Sequence, residues 1–173
     1  PWCAVVRGCG SPVLRARLRP VGRSAPNRRC LDRGPAVDRV RAAAEAAHKL
    51  SFPFMLTARA ENYLHGRPDL ADTIERLQRF QEAGADVLFA PGLKTADDIR
   101  SVVTSVDVPV NVIMGLQGVS LSIEELEALG VKRISLGSSL ARAALRAFLD
   151  AAQEVAGEGT FHFADKAIPF GEI

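Results

Sequence analysis

A chain of 173 residues with 47% hydrophobic content is long enough to bury one core and short enough to form a single domain. No apolar run approaches the roughly 20 residues that a membrane helix needs. The formal net charge of +2 averages two unlike segments. Residues 1–34 hold eight Arg and one acid, Asp32, for +7, whereas the other 139 residues hold 14 Lys or Arg and 19 acids, for −5. The body of the chain is therefore mildly acidic and carries no basic stripe suited to nucleic acid.

All three cysteines, Cys3, Cys9 and Cys30, lie in the basic opening. No CxxC spacing and no matching His accompany them, so they read as unpaired thiols. Residues 1–34 show neither helical nor strand periodicity. They fit an Arg-rich targeting peptide, a basic interaction arm, or sequence that does not belong to the fold, and the third reading sets a boundary between residues 34 and 35.

Order begins at Pro35, which stands near a helix start. An Ala-rich stretch from Asp38 to Leu50 has strong helix propensity and is broken by Pro53. Residues 54–58 are short and apolar, as a buried parallel strand should be. A polar loop over 59–69 precedes Leu70, Ile74, Leu77 and Phe80, which recur at helical spacing up to a C-cap glycine, Gly84. Residues 87–89 form a second strand. Thr95 N-caps a helix reaching about Val106, and 108–113 form a third strand. A Gly-rich loop leads to a short helix over 123–129 closed by Gly130. Residues 131–136 make the fourth strand, and Ser138 opens a last helix with Leu140, Ala144, Ala147, Phe148, Ala151 and Val155 along one side.

Strands alternating with amphipathic helices predict a parallel sheet with right-handed crossovers. The segments 82–87 and 128–133 echo each other, each passing from helix through a glycine turn into a strand. A full (β/α)₈ barrel takes about 200–250 residues and eight such units. Four units are present, so the expected fold is α/β, the second half of a (β/α)₈ TIM barrel.

In that architecture chemistry sits at the carboxyl ends of strands. Arg59 directly follows the first of the four strands, where its planar fork suits a carboxylate or phosphate. Glu61 is placed to brace it; a rim ion pair is an equal alternative. Asn111 interrupts an apolar strand, and its amide needs either a ligand or a core partner. His65 fits a solvated loop position as well as a base. The loop 115–118 lacks the Lys of a phosphate loop. Gly137-Ser138 at a helix start could meet an anion, though capping accounts for it.

Taken together these runs resemble a known group. Phe54 to Asn62, with His65 to Leu70, is similar to the fifth strand and loop of the isocitrate lyase/phosphoenolpyruvate mutase superfamily. Glu82 to Gly92 resembles its sixth unit, Pro109 to Val112 its seventh, and Arg133 to Gly137 its eighth, while 161–173 resembles tails in a bacterial branch. The resemblance spans about 36–173 and implies a Mg²⁺-dependent enzyme that cleaves or forms a C–C or P–C bond through the enolate of a 2-oxo acid. It implies that Arg59 grips a substrate carboxylate and Asn111 hydrogen-bonds the substrate, with Glu61 and His65 beside them. The superfamily's metal-ligating acids and its Lys-x-Cys-Gly-His loop belong to the first four units, so neither the metal ligands nor a catalytic group is expected here. Pro91 stands where the lyases carry a Glu.

The chain is thus expected to be a fragment, inactive alone, of a lyase or mutase-like enzyme acting on a small 2-oxo or 2-hydroxy carboxylate. A non-catalytic half-barrel that associates with a partner chain is the alternative, and a sugar-phosphate barrel enzyme a weaker one. The resemblance also implies a homo-oligomer formed through the last helix; charge and hydropathy patterning point to no nucleic acid and no membrane, and the expected location is cytoplasmic, with organelle import the lesser option.

Overall fold

The computed structural model describes residues 2–7, by backbone alone, and residues 33–172. Two compact units divide them, 1–135 and 136–173.

The first unit is a parallel sheet of β1 (Trp2–Arg7), β2 (Phe54–Arg59), β3 (Val87–Phe89), β4 (Val110–Ile113) and β5 (Arg133–Ser135) in that spatial order. Every neighbouring pair is parallel. The intervals hold α1 (Arg33–Ala47), α2 (Leu70–Glu82), α3 (Ala96–Thr104) and α4 (Ile123–Ala128). This is the α/β, parallel, TIM-barrel type of architecture expected from the four strand-helix units.

Strand alternation assigns the two faces of the sheet. Leu56 and Ala58 of β2, Leu88 of β3, and Val110 and Val112 of β4 join the core with Val40 of α1, Leu77 and Phe80 of α2, Ile99 and Val102 of α3, and Leu126 of α4. The helices thus supply the packing for one face. The alternate positions, Thr57, Arg59, Val87, Phe89, Asn111, Arg133 and Ser135, belong to the other.

The two echoed segments are one device used twice. Gly84 and Gly130 sit at φ +94° and +86°, where a Cβ is disfavoured. In each turn the amide after the glycine reaches back into the helix, Ala85 N to Phe80 O at 3.0 Å and Val131 N to Leu126 O at 3.0 Å. That is the Schellman closure. A Cβ at either glycine would stand 3.0 Å from the preceding helix, against Ala44 or Val103. Thr95 does cap α3, accepting from Asp98 N at 3.1 Å, and Ser122 and Glu125 form a reciprocal capping box at α4.

Several boundaries move. α1 starts at Arg33, beside the Pro35 expected near its start, and ends at Ala47, short of Leu50. β4 and β5 are shorter than the apolar runs that announced them. Residues 2–7 pair with β2 over the whole of Phe54–Arg59, where no strand was expected; residues 8–32, which the expected 34/35 boundary also covers, lie outside the described residues.

The second unit is α5 (Ser139–Gly157) with two short 3₁₀ turns, His162–Lys166 and Phe170–Glu172. Ser138 opens α5, but its side chain makes no cap hydrogen bond. That is a correction; its backbone at φ −92°, ψ 8° departs from the extended conformation a capping side chain needs. No α5 residue is buried, and Leu140 and Phe148 are 70% and 67% exposed.

Glu154 ties the tail to α5. Its carboxylate accepts from Thr160 Oγ1 at 2.8 Å and from the amides of His162 at 2.5 Å and Phe163 at 3.1 Å. The Thr160 hydroxyl first, then these amides and the His162 charge, hold Glu154 below its ordinary value of 4.5. A carboxylate with a lowered folded-state value stabilises above its unfolded value and ceases to as the pH falls through the lowered one. Amide exchange at 162 and 163, corrected for intrinsic rates, should stay protected at neutral pH and lose that protection in acid below 4.5. Glu154→Gln should abolish the pH dependence; the same dependence in the variant would refute this role.

Candidate carboxylate-binding site

The carboxyl end of β2 builds the first half of the site. Arg59 is the last residue of β2, and Glu61 lies two residues on. Arg59 Nη2 stands 2.8 Å from Glu61 Oε1, with side-chain exposures of 15% and 8%. The guanidinium also lies over the Phe89 ring, 4.9 Å from its centroid. A carboxylate at its edge and an aromatic face beneath it fix the plane of the cation and limit its hydration. His65 completes the group at 3.9 Å from Glu61, too far for a hydrogen bond.

Asn62 holds the following loop in shape. It is fully buried, and Nδ2 lies 3.2 Å from Arg67 O, 3.1 Å from Asp69 O and 2.6 Å from Thr73 Oγ1. Asp69 then caps α2 by accepting from Asp72 N at 3.0 Å. Opposite this loop, Gly92 sits at φ +107°, and a Cβ there would meet Tyr63 Cβ at 2.8 Å. Conformation and space together exclude any side chain at 92. Burial first, then the carboxylates of Asp98 and Asp69, push the Tyr63 phenol above its ordinary value, so its hydroxyl stays neutral.

Asn111 supplies the second half, on β4. It is almost fully buried at 1% exposure. Its Oδ1 accepts from Arg133 Nη1 at 2.8 Å, and its Nδ2 donates to Ser135 Oγ at 3.1 Å. The strand register aligns Arg59 with Phe89, Phe89 with Asn111, and Asn111 with Arg133. These four residues form one row across β2, β3, β4 and β5, on the face away from the helices.

The structure therefore gathers Arg59, Glu61 and His65 into one cluster and sets Asn111 on the same row two strands away. Sequence reasoning missed Phe89, Arg133 and Ser135. Arg133 follows Lys132 and reads as a solvated charge; only alternation combined with the β4–β5 register shows which face it shares. Ser138 and Gly137 belong to the second unit and bring no side-chain cap bond. Among the described residues no three His, Cys, Asp or Glu side chains gather in a way that could hold a metal ion. Glu61, the acid in the cluster, is engaged with Arg59. The described residues thus do not fit a Mg²⁺ site, and the chemistry of the row is that of its own donors. Among the described residues no helix is long and apolar enough to cross a membrane.

Comparison with known proteins identifies the family. The phosphoenolpyruvate phosphomutase family model matches residues 21–156, well over half of the chain. A crystal structure of a candidate lyase/mutase from Burkholderia cenocepacia J2315 is 57% identical with a TM-score of 0.80, covering 83% of this chain and 51% of that one. A Mycobacterium tuberculosis protein of uncharacterised function is 33% identical over 120 residues, 68% of this chain and 44% of its own length. Phosphonopyruvate hydrolase, solved with oxalate and Mg²⁺, shares the fold at a TM-score of 0.72 and 22% identity, covering 98% of this chain and 56% of that one. The chain spans about half the length of these relatives. It belongs to the phosphoenolpyruvate phosphomutase family of the isocitrate lyase/phosphoenolpyruvate mutase superfamily.

Proposed function

We propose that this chain forms the carboxylate-binding half of an active centre that acts on a 2-oxo or 2-hydroxy carboxylic acid through an enolate. The observation that carries the reading is the row of Arg59, Phe89, Asn111 and Arg133 on one sheet face. Arg59 presents a guanidinium whose plane Glu61 and Phe89 fix, suited to a substrate carboxylate. Asn111 presents an amide donor toward an oxygen on which charge develops; fixed donors of this kind stabilise an enolate without reorganising. His65 stands at the loop edge of the same cluster. A Mg²⁺ ion in the whole enzyme would supply Lewis-acid polarisation of the 2-oxo oxygen, and groups other than the described residues would have to hold it. Family membership supports the substrate class, and the oxalate in the phosphonopyruvate hydrolase structure is a small dicarboxylate of the kind the row would take.

With the metal held elsewhere, the chain by itself should not turn over substrate. Purified chain mixed with Mg²⁺ and, separately, oxaloacetate, phosphonopyruvate and methylisocitrate tests this. No product above the uncatalysed background is expected, and robust turnover of any of the three contradicts the reading.

A non-catalytic, associating role has its own support. α5 buries no residue and leaves Leu140, Leu145 and Phe148 exposed, an apolar stripe of the kind that marks an interface. On that reading the chain forms a homo-oligomer through α5, as light scattering during size exclusion would show; a clean monomer opposes it. The cytoplasm remains the proposed location.

A further inference from the structure

The hydrogen bonds around Asn111 run in one direction only. Arg133 Nη1 donates to Asn111 Oδ1 at 2.8 Å, Asn111 Nδ2 donates to Ser135 Oγ at 3.1 Å, and Ser135 Oγ donates to the Val112 carbonyl at 3.1 Å. A guanidinium has no acceptor, and a backbone carbonyl has no donor. Neither end of the chain can reverse, so the amide between them cannot flip. The orientation of an asparagine amide is decided by the donors and acceptors around it. Here the orientation is set by partners on β5.

The consequence concerns ligand choice. An amide nitrogen carries two hydrogens, and Ser135 takes one. The remaining hydrogen belongs to a donor, on a side chain whose oxygen faces a cation at 2.8 Å. Charge-assisted bonds are about twice as strong as neutral ones, so the lock holds while a ligand enters. A carboxylate or enolate oxygen completes the amide; an ammonium or other donor-only group meets a hydrogen and a guanidinium instead.

We propose that Arg133 is a positioning residue that fixes Asn111 as a donor and thereby selects an anionic, acceptor-only oxygen at this point of the row. This rests on the functional reading above, which assigns Asn111 to the ligand, and extends it to a residue that need not touch substrate.

Side-chain amide resonances of the full chain in ¹⁵N-correlated spectra test the lock without any need for turnover. In the wild type the two Asn111 Nδ2 protons should be well separated and slow to exchange. Arg133→Met and Arg133→Gln should both move them toward the positions of a solvated asparagine, while Arg133→Lys, which keeps a cationic donor, retains much of the wild-type pattern. The backbone amides of residues 110–113 report whether the strand has survived, and either of the first two variants suffices if the other does not fold. Oxalate should shift one Asn111 proton in the wild type and bind about tenfold more weakly to Arg133→Met, as loss of a charge-assisted bond implies. Unchanged Asn111 protons in a folded Arg133→Met or Arg133→Gln chain overturn the lock itself. Oxalate that moves no Asn111 signal in the wild type overturns the assignment of Asn111 to the ligand, whatever the variants do.

Discussion

Arg59→Met should lower stability by about 3–5 kcal/mol, the usual consequence of stranding one member of a buried ion pair. Glu61 is the partner that loses the guanidinium: its side chain is 8% exposed, and its carboxylate lies 2.8 Å from it. Methionine keeps much of the packing over Phe89 but offers the Glu61 carboxylate no charge. The double variant Arg59→Met/Glu61→Leu should recover most of the loss, because a buried pair replaced by apolar residues is often neutral or stabilising. Urea denaturation of the two single variants and the double variant gives the coupling directly. Additive effects in that cycle would mean that Glu61 does not depend on Arg59. Carboxylate binding must separate from stability in the same series, since the double variant should fold well and bind no oxalate.

The second large effect belongs to Asn62. Its side chain is fully buried and spans three acceptors at 3.2, 3.1 and 2.6 Å, two of them backbone carbonyls of the loop that follows β2. Asn62→Ala removes the donor; Arg67 O keeps Asp69 N at 2.9 Å and Asp69 O keeps Thr73 N at 3.1 Å, so the loss is that of the amide's own bonds, about 1–3 kcal/mol in all. Thr73 Oγ1 keeps its bond to Asp69 O at 2.7 Å, so the loss falls mainly on the loop. Thermal unfolding should drop by several degrees, with amide exchange rising first over 63–69. Asn62→Asp separates donor loss from cavity formation: it fits the same space yet presents oxygens to oxygens, and should be at least as damaging. A neutral alanine variant would show that the loop is held by other means.

Elements were legible in the sequence where one local signal sufficed. The apolar runs over 54–58, 87–89 and 108–113 read as buried strands between helices, and the Gly84 and Gly130 turns announced helix ends because a positive φ needs glycine. β1 was not legible: Ala4-Val5-Val6 is a short apolar run between Cys3 and Arg7, and nothing local distinguishes it from a loop in a basic segment. The apolar side of α5 was read correctly as a stripe, but a stripe does not say whether anything covers it, and here every residue of the helix remains accessible. Arg59 and Glu61 could be paired from sequence because only one residue separates them. The row linking Arg59 to Asn111 could not, since it depends on the registers Arg59–Phe89 and Phe89–Asn111, which tertiary packing sets. Arg133 was hidden for the same reason, and with it the partner that fixes the amide.

That row makes a single spatial demand: one small dianion must be able to touch both the guanidinium of Arg59 and the amide of Asn111. A crystal structure of the chain grown with oxalate measures this directly. The predicted result is an oxalate above the Phe89 ring, one carboxylate on Arg59 and an oxygen within hydrogen-bond reach of Asn111 Nδ2. Oxalate seated on the helix-packed face, or held by Arg59 with Asn111 turned to other partners, would contradict it.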